Sequence, residues 1–255
     1  MNTDDTILWF PHYKPCTKCQ SGFIINEGKA TKCECKIMYD TELLFINDLI
    51  DSNLLQVFSS EAQYTFLKEY TIDSYRGIDN NKNKDKINKY ISKFNDKYNS
   101  VNLFFSGEPG TQKTTLAKYI LCSLLRQKKN GYYIIANDLF NTLTNSERNE
   151  EAREKLKELI TKDILIIDEF DESKITLYNS DWKQKFILPF LKIRLETVRK
   201  ATIFISNKLP TELGEKFDGA IQDLIVRETS GSVLIFNDNY AKYKDNIKIS
   251  SIWDD

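Results

Sequence analysis

A glycine-containing turn between an apolar strand and an amphipathic helix constrains the fold of this chain more than any other feature. The segment spans residues 101–116 and reads VNLFFSGEPGTQKTTL. The backbone N–H groups of such a turn, with the N-terminus of the following helix, form a cradle for phosphate groups. Lys113 would neutralise the β- and γ-phosphates, and the hydroxyl of Thr114 would hold Mg²⁺. The pattern therefore predicts a P-loop that binds ATP or ADP.

The predicted P-loop departs from the usual pattern directly before the lysine, where glycine is expected and this chain has Gln112. Glycine suits that position because φ is often positive there, and a side chain then costs ~1 kcal/mol. Gly107 and Gly110 keep the pattern, so we expect nucleotide binding to be weakened and not abolished. The predicted nucleotide contacts lie in the loop and helix start, with one carboxylate downstream: Gly107, Glu108, Pro109, Gly110, Thr111, Gln112, Lys113, Thr114, Thr115 and Asp168.

Strand and helix patterns alternate from residue 101 onward, as they do in βαβ units. This alternation predicts an α/β fold with a central parallel five-stranded sheet flanked by helices. A further helical pattern, Asp85 to Tyr98, precedes the first of these strands. The predicted strands are residues 101–105, 132–136, 164–167, 202–205 and 233–236, and the predicted helices are 113–128, 150–160 and 182–199.

Polar side chains follow two of the predicted strands directly. The apolar run 164–167 ends in Asp168 and Glu169, and the run 202–205 ends in Ser206 and Asn207. Ligands of open α/β sheets bind outside the carboxyl ends of the strands. Asp168 would support Mg²⁺ with Thr114, and Glu169 would polarise a water for attack on the γ-phosphate. We expect Asn207 to orient that water or to sense the phosphate.

Four of the five cysteines lie within twenty residues, as Cys16, Cys19, Cys33 and Cys35. In a reducing compartment, two close pairs of cysteines are better explained as Zn²⁺ ligands than as disulfides. Four thiolates complete a tetrahedral structural site and leave no open position for catalysis. His12 is an alternative ligand. The fifth cysteine, Cys122, is expected in the core.

The composition and net charge of the chain give no sign of a membrane protein or of a generally basic nucleic-acid-binding protein. Apolar residues make up 41% of the 255 residues, and the formal net charge is −1, so no general attraction to nucleic acid or to membranes is implied. No apolar run approaches the ~20 residues of a membrane span, and the N-terminus lacks the pattern of a signal peptide. We expect a cytoplasmic protein with a zinc-binding, partner-docking module at 1–45, a helical linker at 46–75 and an ATPase core at 76–255.

These motifs together resemble the DnaC/DnaI-type replicative helicase loaders and their IstB-like relatives. The resemblance rests on six segments and covers nearly the whole chain. The cysteine-bearing N-terminus is similar to that of the DnaI branch and of loaders encoded by phages. The segments are NLFFSGEPGTQKTTLA at 102–117, LIIDE at 165–169, LKIRLE at 191–196, FISN at 204–207, DLIVRE at 223–228 and VLIF at 233–236.

The resemblance implies an AAA+ core of the ASCE P-loop class, in which the sensor strand lies between the Walker A and Walker B strands. Arg227 matches the position of the arginine finger, which acts on the γ-phosphate held by a neighbouring subunit, so self-association is implied. The later sensor arginine has no match, and Lys242 or Lys244 would be a weak substitute. The Walker A pair would be Lys113 and Thr114, the Walker B pair Asp168 and Glu169, and the first sensor Asn207.

The leading hypothesis for function is an ATP-binding protein with weak ATPase activity that docks on a replicative DNA helicase and assists its loading on single-stranded DNA. Phe140 and Tyr178 could stack on bases, but packing in the core explains most aromatic residues equally well. One alternative is an IstB-like ATPase that helps a transposase. A second alternative is a degenerate AAA+ module that modulates a replication protein without significant hydrolysis of ATP.

Overall fold

This computed structural model describes residues 23–26, 29–34, 82–171, 178–215 and 217–236. The chain divides into two units, Met1–Glu69 and Tyr70–Asp255. In the first unit the described residues form an antiparallel hairpin of β1 (Phe23–Asn26) and β2 (Lys29–Lys32). The short strand that the sequence predicts at Phe23-Ile24-Ile25 is therefore confirmed.

The described part of the second unit is built on one five-stranded sheet in which all neighbouring strands are parallel. The order is β4-β5-β6-β3-β7. The expected class of fold is confirmed, and β6 lies between β3 and β5 as the family resemblance implies. The strands are β3 (Leu103–Ser106), β4 (Gly131–Ile135), β5 (Ile164–Asp168), β6 (Ala201–Ser206) and β7 (Val233–Ile235).

Helices cover both faces of this sheet, so the three strands at its centre are buried along their whole length. A fully apolar strand such as β5 is what burial on both faces requires. Residues 180–198 form one continuous helical stretch, which we call the long helix. Its four consecutive segments are α5 (Ser180–Trp182), a π-helical stretch at Lys183–Ile187, α6 (Leu188–Lys192) and a second π-helical stretch at Ile193–Val198. The other helices are α1 (Lys82–Ser92) with a π-helical stretch at Phe94–Tyr98, α2 (Lys113–Arg126), α3 (Ala136–Asn145), α4 (Glu150–Thr161), a 3₁₀ helix at Pro210–Glu215, and α7 (Gly219–Glu228).

Like α7 and the 3₁₀ helix at Pro210–Glu215, helix α3 is not predicted by the sequence patterns. It begins at Ala136, directly after the last residue of β4, and Ile135 is its N-cap residue. No turn residue separates the two elements, and residue 136 continues the apolar run of the strand. The helix is fixed by packing, because Leu139, Phe140 and Leu143 enter the main hydrophobic core.

Phe140 is 1% exposed and makes edge contacts with the rings of Phe170 and Trp182. The suggestion that it stacks on nucleic-acid bases is therefore wrong, because its ring faces are occupied inside the core. Tyr178, the other suggested residue, is partly buried and stacks on Trp182 with 3.9 Å between ring centroids. Cys122 is fully buried in α2, as expected.

Arg194, on the long helix, is fully buried and links this helix to α4 and β6 through hydrogen bonds in the core. The last carbonyl groups of a helix have no partner within it, and here Arg194 supplies donors to those at the end of α4. Its side chain also bonds to the start of β6. Burial lowers the pKa of Arg194 to about 9, so the guanidinium stays charged at neutral pH. The acceptors are Leu159 O (2.8 Å), Ile160 O (2.9 Å), Lys162 O (3.0 Å), Ala201 O (2.6 Å) and Thr202 Oγ1 (2.9 Å).

Candidate functional site

The predicted P-loop is the connection between β3 and α2, and three of its residues have positive φ. Gly107 has φ 152°, Gly110 has φ 79° and Gln112 has φ 67°. The expectation that Gln112 occupies a left-handed conformation is confirmed. Gly107 is required by close packing as well, because a Cβ there would lie 2.9 Å from the Cβ of Phe236.

Lys113 is the first residue of α2, and its side chain is buried under the loop. The ammonium group donates hydrogen bonds to the carbonyl oxygens of Gly107 (2.6 Å) and Glu108 (2.8 Å). It also donates to Oδ1 of Asn207, at the tip of β6, over 3.0 Å. The lysine predicted to meet phosphates therefore already contacts the residue predicted to sense them.

Asp168, the last residue of β5, is 4% exposed and accepts three hydrogen bonds. Its Oδ2 accepts from the hydroxyl of Thr114 (2.8 Å) and from the phenol of Tyr133 (2.7 Å). Its Oδ1 accepts from the backbone N–H of Glu169 at 2.8 Å. The expected pairing of Thr114 with Asp168 is present, and hydroxyl and carboxylate oxygens are ligands that suit Mg²⁺.

Glu169 follows Asp168 with a positive φ of 54° and is exposed. On the next strand, the backbone N–H of Asn207 donates to Oδ1 of Asp171 at 3.0 Å. Asp171 is 3% exposed, and its carboxylate ties the tip of β6 to the turn after β5. Asp171 is not among the site residues predicted from the sequence, although its position three residues after Asp168 is a usable signal.

A cavity of about 350 Å³ joins these groups at the carboxyl ends of the strands. Its position follows from the topology, because β3, β5 and β6 are adjacent and parallel. Its size and its mixture of cation, hydroxyl and carboxylate groups fit the phosphates of a nucleotide and a divalent metal ion. The lining residues are Pro109, Gly110, Thr111, Gln112, Lys113, Thr114, Thr115, Asp168, Glu169, Asp171, Ile205, Ser206 and Asn207.

Arg227 lies apart from this cavity, in the last turn of α7. Its side chain is 59% exposed and forms ion pairs with Glu196 and, at 3.1 Å, with Glu228. In its own chain Arg227 does not line the candidate site. The role predicted for it at the site of a neighbouring molecule stays a prediction.

The predicted zinc ligands Cys16, Cys19 and Cys35, with His12, fall outside the described residues, as do Lys242 and Lys244. Cys33 is described and is 3% exposed. Within the described ranges, no group of three or more histidine, cysteine, aspartate or glutamate side chains is placed to hold a metal ion. A membrane-spanning helix is also not found among them.

Comparisons with known proteins agree with this fold. The family model described as "IstB-like ATP binding protein" matches residues 58–226. Over 164 residues the chain is 26% identical to the replicative helicase loader DnaC of Escherichia coli strain K12, and this match covers 64% of the chain. The chain thus spans 63% of the length of this curated relative.

Two solved structures have a similar fold. The crystal structure of the DnaC helicase loader matches with a TM-score of 0.56 and 20% identity, over 67% of this chain and 98% of that one. The crystal structure of DnaI matches with a TM-score of 0.53 and 18% identity, over 68% of this chain and 89% of that one. At these identities the likeness shows the fold, which is the AAA+ P-loop fold that the motifs imply.

Proposed function

The chain belongs to the family of IstB-like ATP binding proteins, and we propose that it is a helicase loader that binds ATP at the P-loop. The observation that carries the loader proposal is its 26% identity, over 164 residues, to a protein named as a replicative helicase loader. In this proposal the chain docks on a replicative DNA helicase and assists its placement on single-stranded DNA.

Nucleotide binding is the part of the proposal with the firmest geometric support. The ammonium of Lys113 is held by two loop carbonyls and by Asn207. Phosphate oxygens would be better acceptors for this cation, because they carry negative charge and attract the ammonium, whereas the carbonyl and amide oxygens that it contacts now are neutral. Binding would therefore turn Lys113 toward the phosphates and release the amide of Asn207, which links occupancy of the P-loop to the tip of β6.

Hydrolysis would need a base and a stabilising cation. Glu169 lines the cavity and is exposed, so it can hold a water molecule as a general base. Mg²⁺ held near Thr114 and Asp168 would supply charge neutralisation for the phosphates. We propose slow turnover, because Gln112 strains the loop in a left-handed conformation and residues 237–255 include no arginine to match the second sensor.

Arg227 is proposed to act on the site of a neighbouring copy, since its exposed position is open to a second molecule. Mixing Arg227→Ala with Lys113→Ala protein tests this, because each variant retains the group that the other lacks. Partial recovery of ATPase activity in the mixture supports a shared site, and no recovery at any ratio contradicts it.

The N-terminal cysteines are proposed to hold structural Zn²⁺ in a module that faces the helicase. The support is the spacing of Cys16, Cys19, Cys33 and Cys35 in the sequence. Metal analysis of protein purified without chelators should find about one Zn²⁺ per chain, as a four-thiolate site holds one ion. If the purified protein contains no zinc, this proposal is overturned. The proposal that the ATPase core binds nucleotide would not be affected.

The decisive experiment for function is binding of the full chain to a purified replicative DNA helicase, with a transposase as the parallel partner. We expect the wild-type chain to form a complex with the helicase. The control variant Arg126→Ala should form the same complex, because Arg126 is an exposed residue at the end of α2 that is far from the P-loop. A complex with the transposase alone would favour the transposition helper. A helicase complex formed by a chain that binds no nucleotide would favour the degenerate AAA+ module.

Replacing Gln112 with glycine should tighten ADP binding about twofold to fivefold. The change relieves the strain of a side chain at φ 67°, which costs up to ~1 kcal/mol, or about fivefold in affinity. Titration with a fluorescent ADP analogue measures the effect. Gln127→Gly is the matched control, because Gln127 caps the other end of α2 at φ −85° and glycine relieves nothing there. Equal affinities for wild type and Gln112→Gly would show that the strain does not limit binding.

A further inference from the structure

Tyr133 contacts the predicted metal site from a strand that carries no P-loop motif. It lies in β4, at the edge of the sheet, and its hydroxyl donates to Oδ2 of Asp168 at 2.7 Å. The same oxygen accepts from Thr114, which is the predicted Mg²⁺ ligand of α2. The phenol, the threonine hydroxyl and the carboxylate therefore form one connected group.

The register of the sheet places this phenol at the end of β5. Tyr133 lies opposite Ile166, and Ile135 lies opposite Asp168. The tyrosine is thus two residues back along the neighbouring strand, on the same face as position 135, and a phenol is long enough to reach the carboxylate. A shorter side chain at position 133 could not span this offset.

Contacts on the other side of the ring hold Tyr133 in place. The ammonium of Lys118 lies 4.7 Å from the centre of the ring. Lys118 follows Thr114 by one helical turn, so both residues are on the same face of α2. The adjacent Tyr132 points to the opposite face of the sheet, where it joins the main core and meets Lys155.

We propose that Tyr133 is a positioning residue for Mg²⁺ in the nucleotide site, acting through the carboxylate of Asp168; this inference rests on the proposed binding of nucleotide. Donors outside the metal's own ligands fix the orientation of those ligands, and their loss typically weakens metal affinity or activity 10–100-fold. If the hydroxyl of Thr114 held Mg²⁺, Tyr133 would still donate to Asp168 and would keep the orientation of its carboxylate fixed. The position belongs to no P-loop motif, which is why motif matching does not find it.

The test compares Tyr133→Phe with Tyr132→Phe in the full chain. Each variant loses one phenol hydroxyl, and the two tyrosines are adjacent in the same strand. Of the two, only Tyr133 contacts Asp168. The affinity for ADP is measured in Mg²⁺ and in EDTA. The ratio of the two affinities gives the gain in affinity due to the metal. We expect Tyr133→Phe to lower this gain at least about tenfold, to leave the affinity in EDTA unchanged, and to melt within a few degrees of wild type. Tyr132→Phe should keep the full gain.

The outcomes separate this inference from the function on which it rests. If wild type gains affinity from Mg²⁺ and Tyr133→Phe keeps that gain, the inference fails and the proposed function stands. If Tyr133→Phe weakens binding equally in Mg²⁺ and in EDTA, its role is general support of the fold, and the inference also fails. If wild type binds no ADP at all, the proposed nucleotide site fails, and the positioning role with it.

Discussion

Lys113→Ala is expected to lower the affinity for ADP and ATP at least ~100-fold, because each charge-assisted hydrogen bond to phosphate contributes ~1.5–3 kcal/mol. The residue is the buried cation whose ammonium lies 3.0 Å from Oδ1 of Asn207 within the cavity. Removing it leaves the phosphates with the backbone N–H groups and Mg²⁺ but without a side-chain cation from the P-loop. Equilibrium titration with labelled ADP and ATP in Mg²⁺ measures the loss.

Arg126→Ala is the control for this result, because it removes a cation from the exposed end of the same helix. Its affinity should match that of wild type. A Lys113→Ala protein that folds and binds nucleotide within threefold of wild type would contradict the P-loop assignment. Circular dichroism separates loss of binding from loss of fold, since Lys113 also braces two loop carbonyls.

Arg194→Met should destabilise the protein by at least ~3 kcal/mol, because each buried acceptor left without a donor costs about 1–3 kcal/mol. The arginine donates five hydrogen bonds from a fully buried position. Methionine keeps much of the side-chain volume but supplies no donor. For a protein of this size, that loss corresponds to a fall of about 10 °C in Tm.

Thermal unfolding followed by circular dichroism tests this, with Lys192→Met as the matched control. Lys192 is exposed on the same long helix, two residues before Arg194. Its replacement should change Tm by no more than about 2 °C, as surface substitutions usually stay within ±0.5 kcal/mol. If the two variants unfold at the same temperature, water or a rearranged helix end satisfies the carbonyls, and the hydrogen bonds of Arg194 contribute little to stability.

The sequence predicted the sheet well because its signals are local. Continuous apolar runs are typical of strands buried on both faces, and all five runs form strands of one parallel sheet. Asp168 and Asn207 follow two of these runs directly, and parallel strands must end at the same edge. The contacts of Asn207 with Lys113 and of Asp168 with Thr114 could therefore be expected from the sequence.

The misses lie where distant contacts decide the outcome. Helix α3 starts without a turn signal, and packing of residues such as Phe140 against the core fixes it. The same packing removes Phe140 from any role on nucleic acid. Asp171 and Tyr133 gain their places in the site from hydrogen bonds to residues 36 and 35 positions away. No periodicity in the chain encodes such separations.

The class of fold, the P-loop and the strand ends that carry polar groups follow from the sequence, since backbone preferences and apolar periodicity act over a few neighbouring residues. Which side chains support Asp168 and Asn207 depends on the folded chain, as does the link that Arg194 makes between α4, the long helix and β6. These choices depend on the order of strands and on their register. A buried polar group must find its partner across the fold once water is excluded, and only the folded chain brings that partner near.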